Sequence, residues 1–520
     1  MHWSQAIAKD IIAQREERRH VVATGITPSG DIHIGNLREI IIGDAVRNAL
    51  MDMGVDADLI YVADTFDPLR RRYPFLPPEY DQHVGRPLSE IPDPEGCHSS
   101  YAEHFLSPFL ESLTELGIEI EILRADEMYK SGLYADAIKE ALLRREELAR
   151  ILQESSGRHL SHDWSPFSPL CDACGRITSA VVTGYNMEKQ EVYYECECGN
   201  KSTASLRGGG KLAWRVDWAA RWRILGVTVE PFGKDHAAPG GSFDSGKRIA
   251  LEIYNFKAPY PIPFEHILLK LREGDRTKVT AMSSSRGTNI PIHEILEVVP
   301  PEILKHLIWR VRPDRHIEFD PSTPLLHLID EYEREIGGIG SGLAAKIPFR
   351  HFLTLVQVAR GDFNELLAVI RRSGYELPEG AEEENEEELN AIRKKAGYAQ
   401  NWLQRYAPEN LKFELQLSVP WEGIKGLSDA QKRALRMIAQ RIASKKSLNA
   451  TEWHNMIYEV ATTANIDPKE VFRAIYISLL NKPSGPRAGW LLASLDIQFL
   501  RTRFEIASGT EAELDSDNRE

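Results

Sequence analysis

The sequence predicts an α/β fold: a doubly wound parallel sheet, interrupted by an inserted segment and followed by an all-helical C-terminal region. Three observations predict it. From His20 to Leu269 short β-branched runs alternate with helical runs, the pattern of βαβ units. From Gly157 to Arg215 the alternation lapses and four of the five cysteines gather. Beyond about Pro300 the strand signal nearly vanishes and helical periodicity takes over.

The elements follow in order. "HVVAT" (His20–Thr24) reads as the first strand, and "LREIIIGDAVRNALMDMG" (Leu37–Gly54) as a helix ended by its glycine. "ADLIYVAD" (Ala57–Asp64) is a second strand, "AEHFLSPFLESLTELG" (Ala102–Gly117) a helix, and "IEIEIL" (Ile118–Leu123) a third strand. "LYADAIKEALLRREELARILQES" (Leu133–Ser155) reads as one long helix. The inserted segment, 157–215, carries a hairpin-like "RITSAVVTGYNMEKQEVYYE" (Arg176–Glu195) and "RGGGK". The sheet then resumes with "ILGVTVEPFG" (Ile224–Gly233) as strand, "SFDSGKRIALEIYNF" (Ser242–Phe256) as helix and "PFEHILL" (Pro263–Leu269) as strand. In the C-terminal region, "GLSDAQKRALRMIAQRIAS" opens on a capping box from Ser428 to Gln431. Two acidic stretches, Ala381–Glu388 and Thr510–Glu520, read as a solvated face or linker and a frayed tail.

Bulk properties bound the function. The 520 residues are 42% hydrophobic and 27% charged, an ordinary soluble composition. No run approaches the ~20 apolar residues of a membrane span. The N-terminal "MHWSQAIAKDIIAQREERRH" is charged and amphipathic where a signal peptide would be apolar, so a cytoplasmic protein is expected. A formal net charge of -14 argues against broad nonspecific binding to nucleic acid, though not against a local basic face.

The loop after the first strand, Gly25 to Gly35, has glycines but lacks the Lys-Ser/Thr pair of a phosphate-binding P-loop. Its phosphate chemistry comes instead from the helix that follows. Free N–H groups and the positive helix end attract anions there, and His33 and Asn36, three apart, lie on one side of the first turn. A plain strand-to-helix turn in which the His caps a neighbour is the other reading of these four letters.

Cys97 stands alone. Cys171 and Cys174 form a CxxC, and Cys196 and Cys198 a CxC at the far end of the hairpin. Four thiolates on two knuckles match a closed tetrahedral zinc site, and disulfides are the weaker explanation in a reducing compartment.

"TGITPSGDIHIGN" resembles the HIGH signature of class I aminoacyl-tRNA synthetases, with Asn36 in place of the last histidine. "TAMSSSRG" (Thr280–Gly287) is similar to the second, KMSKS-like signature, in the KMSSSKG form of class I lysyl-tRNA synthetases. "VDWAARWRILGVTVEPFGKDHAAPGGSFDSGKRIA" (Val216–Ala250), "ADTFDPLRR", "HSSYAEHF" and "SGPRAGWLL" resemble other blocks of that family, so the likeness runs from about residue 20 to 500. Glutamyl enzymes of the same class would be expected to show a "PSPTG"-like loop where this chain has "TPSG".

The resemblance implies a Rossmann-type catalytic domain over 1–300 with a zinc-binding connective segment at 157–215, a helical stem over 301–385 and a helical anticodon-binding domain over 386–520. It implies ATP with Mg2+, a structural Zn2+, L-lysine and tRNA(Lys); no membrane partner is expected, and the oligomeric state is left open, with a monomer slightly favoured. ATP would meet Pro28, Ser29, Gly30, His33, Gly35 and Asn36. The catalytic set would be His33, Asn36, Lys278, Met282, Ser283, Ser284, Ser285 and Arg286. Ala281 stands where the family has its first lysine, with Lys278 and Arg286 flanking. That departure is the one support for a runner-up reading, a tRNA-binding regulatory protein that has lost activation. An adenylate-forming enzyme that acts without tRNA is the other rival, and the long helical region argues against it. Lysine would be recognised by Gly25, Thr27, Asp64, Trp218, Asp235 and His236. Asp64 reads equally as a helix cap and Trp218 as a core aromatic. "RRSGYELP", "AGYAQNWLQRY" and "KPSGPRAGW" interleave Arg/Lys with Tyr/Trp, as stacking on unpaired bases requires.

Overall fold

The computed structural model describes residues 2–157, 159–273, 276–281, 290–377 and 385–509, with backbone alone at 156, 271–273, 276–278, 280 and 281. The chain forms two compact units, one of Met1–Leu296 with Leu304–Phe319, the other of Glu297–Ile303 with Asp320–Glu520.

The first unit is built on five strands: β1 (Arg19–Ile26), β2 (Asp56–Ala63), β3 (Glu121–Arg124), β4 (Val229–Gly233) and β5 (Tyr260–Phe264). They lie in the order β5-β4-β1-β2-β3, and every neighbouring pair is parallel. A parallel sheet covered on both faces needs strands apolar throughout, and Ile60 to Ala63 of β2 are all buried. The order reverses at β1. There β1 pairs with β2 through eight residues, from Arg19↔Asp56 to Ile26↔Ala63, but with β4 only at Val22↔Val229. The sheet therefore splays toward its C-terminal ends, where doubly wound sheets bind ligands.

Three elements depart from the sequence reading. The expected helix Leu133–Ser155 is two helices, Ala135–Leu143 and Arg145–Ser156, broken at Arg144 (φ -110°, ψ 30°). The break is anchored from outside: Arg144 donates to the Ile253 carbonyl at 2.9 Å and pairs with Glu147. The expected strand Pro263–Leu269 is also divided. β5 ends at Phe264, and Ile267–Glu273 belongs to another sheet, antiparallel to Arg276–Ala281 and parallel to Ile317–Phe319. Arg38 sits at the break and donates to the carbonyls of both Glu265 and His266, so the carbonyls at the break have a side-chain donor. Ile317–Phe319 is itself a strand in the region read as helical; three residues are too few to show a period of two.

The inserted segment enters and leaves through the antiparallel pair Phe167–Pro169 with Gly210–Leu212. Beyond that pair stand three antiparallel strands, Ala180–Asn186, Glu191–Cys196 and Lys201–Ser205, one more than the expected hairpin. The second unit is helical, with Phe349–Ala359, Glu386–Arg405, Asp429–Ile442, Ala450–Thr463, Pro468–Leu480 and Ile497–Ala507 among its longer helices. The capping box at Ser428 and Gln431 is present.

Candidate functional site

The loop from Thr27 to His33 runs from the end of β1 to the helix Ile34–Asp52, whose N-cap is His33. The Gly35 N–H donates to His33 Nδ1 at 3.1 Å, and the His33 N–H donates to Asn36 Oδ1 at 3.3 Å. The cap fixes the tautomer: with Nδ1 accepting, a neutral ring carries its proton on Nε2. Burial lowers the imidazole pKa to about 4, so the ring is neutral at pH 7. His33 thus caps the helix, as the plain-turn reading expects, and keeps one N–H free of the cap, while Asn36 keeps its amide N–H2. Pro28 and Gly30 are buried, Ser29 and Gly35 half-buried, and the Tyr101 hydroxyl holds the loop by donating to the Ser29 carbonyl at 2.8 Å.

Described residues on the far side of the second signature meet the same helix end. Arg276–Ala281 leads into the signature, and beyond it Pro291 bridges to His33 while the Ile292 N–H donates to the Ile32 carbonyl at 3.2 Å. Met282, Ser283, Ser284, Ser285 and Arg286 lie outside the described residues, as does the Lys278 side chain.

Beneath the loop lies a buried charge network. Gly25 is the close approach: a Cβ there would meet Arg221 Nη1 at 3.3 Å. Asp64 pairs with Arg221 and, at 3.8 Å, with Lys211. Lys211 also pairs with Asp67, and with Asp217 at 3.3 Å, while Arg221 reaches Asp217 at 3.3 Å. Thr27 Oγ1 donates to Asp67 Oδ2 at 2.9 Å, which joins the loop to this network. Asp64 is therefore neither a helix cap nor a free carboxylate, and its two cationic partners hold its pKa down against burial. Asp67 thus finds its cation 144 residues away in the sequence.

Across the crevice, Trp218 and Trp222 of the helix Trp214–Leu225 donate their indole N–H groups to the two oxygens of Glu230 on β4, the first at 2.9 Å. Burial raises the Glu230 pKa to about 7. Trp218 stacks on Trp214 with ring centroids 5.2 Å apart, and His236 lies 5.6 Å from Trp218 and 5.9 Å from Trp214. Trp214 is 45% exposed, so this aromatic corner opens to solvent. Asp235 points elsewhere: its side chain is 73% exposed and faces His266 at 3.4 Å. Glu39 accepts from the Gly25 N–H at 2.7 Å, and burial raises its pKa.

Glu39, Lys211, Asp217, Arg221 and Glu230 escaped the sequence reading. Asp217 and Arg221 carried a signal, an opposite-charge pair four apart inside an apolar helix. Lys211 carried none, being placed only by the exit strand of the insertion.

The metal-ligand types gather in two places. Cys171, Cys174, Cys196 and Cys198 bring four Sγ atoms within 4.8 Å of one another, and none forms a disulfide. Sγ separations of 3.7 Å, for Cys171 with Cys198 and for Cys174 with Cys196, suit ligands around one tetrahedral zinc ion. Cys97 is not isolated, as its place in the sequence suggested: it meets Asp93, His98 and His104.

A family model described as "tRNA synthetases class I (K)" matches residues 1–339. Among curated proteins, the chain is 47% identical to "Lysine--tRNA ligase 1" of Methanosarcina acetivorans, over 98% of both chains. It is 46% identical to "Lysine--tRNA ligase" of Archaeoglobus fulgidus, covering 98% of this chain and all of that one, and 38% identical to the protein of that name from Methanocaldococcus jannaschii.

Proposed function

The chain belongs to the family of class I lysyl-tRNA synthetases, and on that premise we propose that it attaches L-lysine to tRNA(Lys) through a lysyl-adenylate. The charge balance of the crevice is the observation that carries the substrate. Around Gly25 stand the carboxyls of Glu39, Asp64, Asp67, Asp217 and Glu230, against the cations of Lys211 and Arg221 alone. An excess of buried carboxyls, two with raised pKa, suits a ligand that brings ammonium groups. The Trp214–Trp218–His236 corner offers apolar walls for an aliphatic stem.

ATP would lie on the turn Pro28–Gly30 with its triphosphate at Gly35, His33 and Asn36, where neutral donors and the helix end favour anions. The lysine carboxylate attacks the α-phosphate in line and pyrophosphate leaves; the terminal 2'-hydroxyl of the tRNA then attacks the activated carbonyl. Such transfers need positioning and charge stabilisation more than a covalent nucleophile. His33 Nε2–H and the Asn36 amide would donate to phosphate oxygens, with Lys278 and Arg286 supplying positive charge where Ala281 cannot. Mg2+ bound with the triphosphate would neutralise part of its charge.

The four-cysteine cluster fits a structural Zn2+ that stiffens the insertion. In the second unit, two cavities flank the pair Arg487 and Trp490, whose guanidinium lies 5.0 Å over the indole. One is lined by His327, Arg350 and Gln357, the other by His454, Tyr458 and Phe472. Cations beside aromatic faces support base stacking, and so the reading of the anticodon by this unit. None of the described helices is long and apolar enough to cross a membrane, and we place the protein in the cytoplasm.

Pyrophosphate exchange with each of the twenty amino acids, with and without bulk tRNA, tests the reading. Exchange with lysine is expected. None under either condition would sink the synthetase assignment in favour of a regulatory tRNA-binding protein.

A further inference from the structure

The glycine run within Arg207–Lys211 closes the inserted segment, and its backbone packs without slack. A Cβ on Gly209 would strike the backbone of Ser205, and one on Gly210 would strike the Ser168 carbonyl and the ring of Phe167. Hydrogen bonds hold the same stretch from several sides. The Leu170 N–H donates to the Gly209 carbonyl at 2.9 Å, the Leu212 N–H to the Tyr129 hydroxyl at 3.1 Å and the Ala213 N–H to the Pro166 carbonyl at 2.8 Å. Tyr129 in turn donates to Asp217 Oδ1 at 3.1 Å.

From this fixed strand Lys211 sends a side chain, 7% exposed, into the carboxyl cluster. Its ammonium meets Asp67, Asp217 at 3.3 Å and Asp64 at 3.8 Å. Burial opposes the charge, but Asp67, Asp217 and Asp64 raise the pKa above its ordinary value, so the ammonium stays charged at pH 7. Asp67 faces two ways: one oxygen meets Lys211, and the other accepts from Thr27 Oγ1 at 2.9 Å. Asp64 meets Arg221, whose Nη1 stands against Gly25.

We propose that Lys211 is a positioning residue for substrate lysine: it holds Asp67 and, through Asp67, the Thr27 hydroxyl, so that the seating of the insertion's exit strand sets the amino-acid site. This rests on the proposed function. A lysine that only neutralised buried carboxylates would need no fixed backbone, because its four-carbon stem is flexible. Here the close packing at Gly209 and Gly210 fixes where that stem starts, and one carboxylate is shared between the ammonium and the substrate loop. A shift of the strand is therefore handed to Thr27. The triphosphate end is held separately, by the His33 cap and by Tyr101 on the Ser29 carbonyl. Lysine binding should feel Lys211, and ATP binding should not.

Pyrophosphate exchange by the full chain tests the assignment. Lys211→Met should raise the KM for lysine at least ~10-fold with little change in the KM for ATP or in kcat, and Lys211→Arg, which keeps the charge, should recover part of that loss. An unchanged KM for lysine, or constants for lysine and ATP that rise together as in a loosened fold, would overturn it. Because Lys211→Met can unfold, amide exchange of the unaltered chain is followed with and without lysine. Slower exchange at Leu170, Leu212 and Ala213 supports the coupling, and slowing confined to Gly25 and Thr27 overturns it. Either failure in a chain that exchanges pyrophosphate with lysine sinks this inference alone; a chain with no lysine-dependent exchange sinks the proposed function and the inference with it.

Discussion

Arg38 holds together the part of the first unit from which the second signature departs. Its guanidinium donates to the carbonyls of Glu265 at 2.5 Å, His266 at 3.3 Å, Arg312 at 3.1 Å, Pro313 at 3.3 Å and Arg315 at 2.6 Å. Burial lowers its pKa to about 10, so it remains protonated at pH 7. Arg38→Met keeps the stem and removes the charge. Five carbonyls then lose their donor, and charge-assisted bonds contribute roughly 1.5–3 kcal/mol each when counted singly. Counting only the three at 3.1 Å or less gives roughly 5–9 kcal/mol, from which the desolvation of the guanidinium, about 3 kcal/mol for its lowered pKa, is recovered. A loss of about 2–6 kcal/mol is expected, which spans the range for breaking a buried charged contact. Thermal unfolding of the variant should begin several degrees lower, and amide exchange should accelerate first in Ile267–Leu269 and Ile317–Phe319. Because the hairpin Ile267–Ala281 carries the second signature, lysine-dependent exchange should fall as well. Melting within about a degree of the parent, with unchanged amide exchange, would refute the reasoning.

His33→Asn can still cap the helix but has no Nε2–H, so it should fold normally and lose at least ~10-fold in adenylate formation; an unchanged rate removes the ring from the site. Glu230 has a folded pKa raised to about 7 from the ordinary 4.5, so its contribution is present below about pH 4.5 and lost as pH rises through 7. Stability curves of the parent and Glu230→Gln should therefore diverge across that window, by roughly 3 kcal/mol for such a shift; parallel curves would contradict it. Lys211→Met removes the cation that pairs with Asp67 and leaves Asp64 and Asp217 with Arg221 as their cation, and should cost about 3–5 kcal/mol, read by denaturant titration, where a loss below about 1 kcal/mol would count against the network. Trp490→Ala should weaken tRNA binding while leaving lysine-dependent exchange intact, and equal affinity in a filter assay would exclude the Arg487–Trp490 pair from the interface.

Much was legible from local chemistry. Strand periodicity located β1, β2 and β4, the His33–Asn36 spacing located a helix end, and the CxxC and CxC spacing located four thiols, because each depends on residues near one another in the chain. The second strand of "PFEHILL" and the break at Arg144 were not legible, since distant groups decide them: Arg38 receives the carbonyls at Glu265 and His266, and Ile253 receives Arg144.

The sequence by itself determined the parallel α/β class, the helix end at His33 and the thiol cluster. Tertiary structure alone decided which carboxyls remain uncompensated, since Lys211 and Asp67 are 144 residues apart and Arg221 and Asp64 are 157. It also decided that Cys97 has company. A charge takes its meaning from what lies within a few ångströms when water is excluded, and only the folded chain sets those distances.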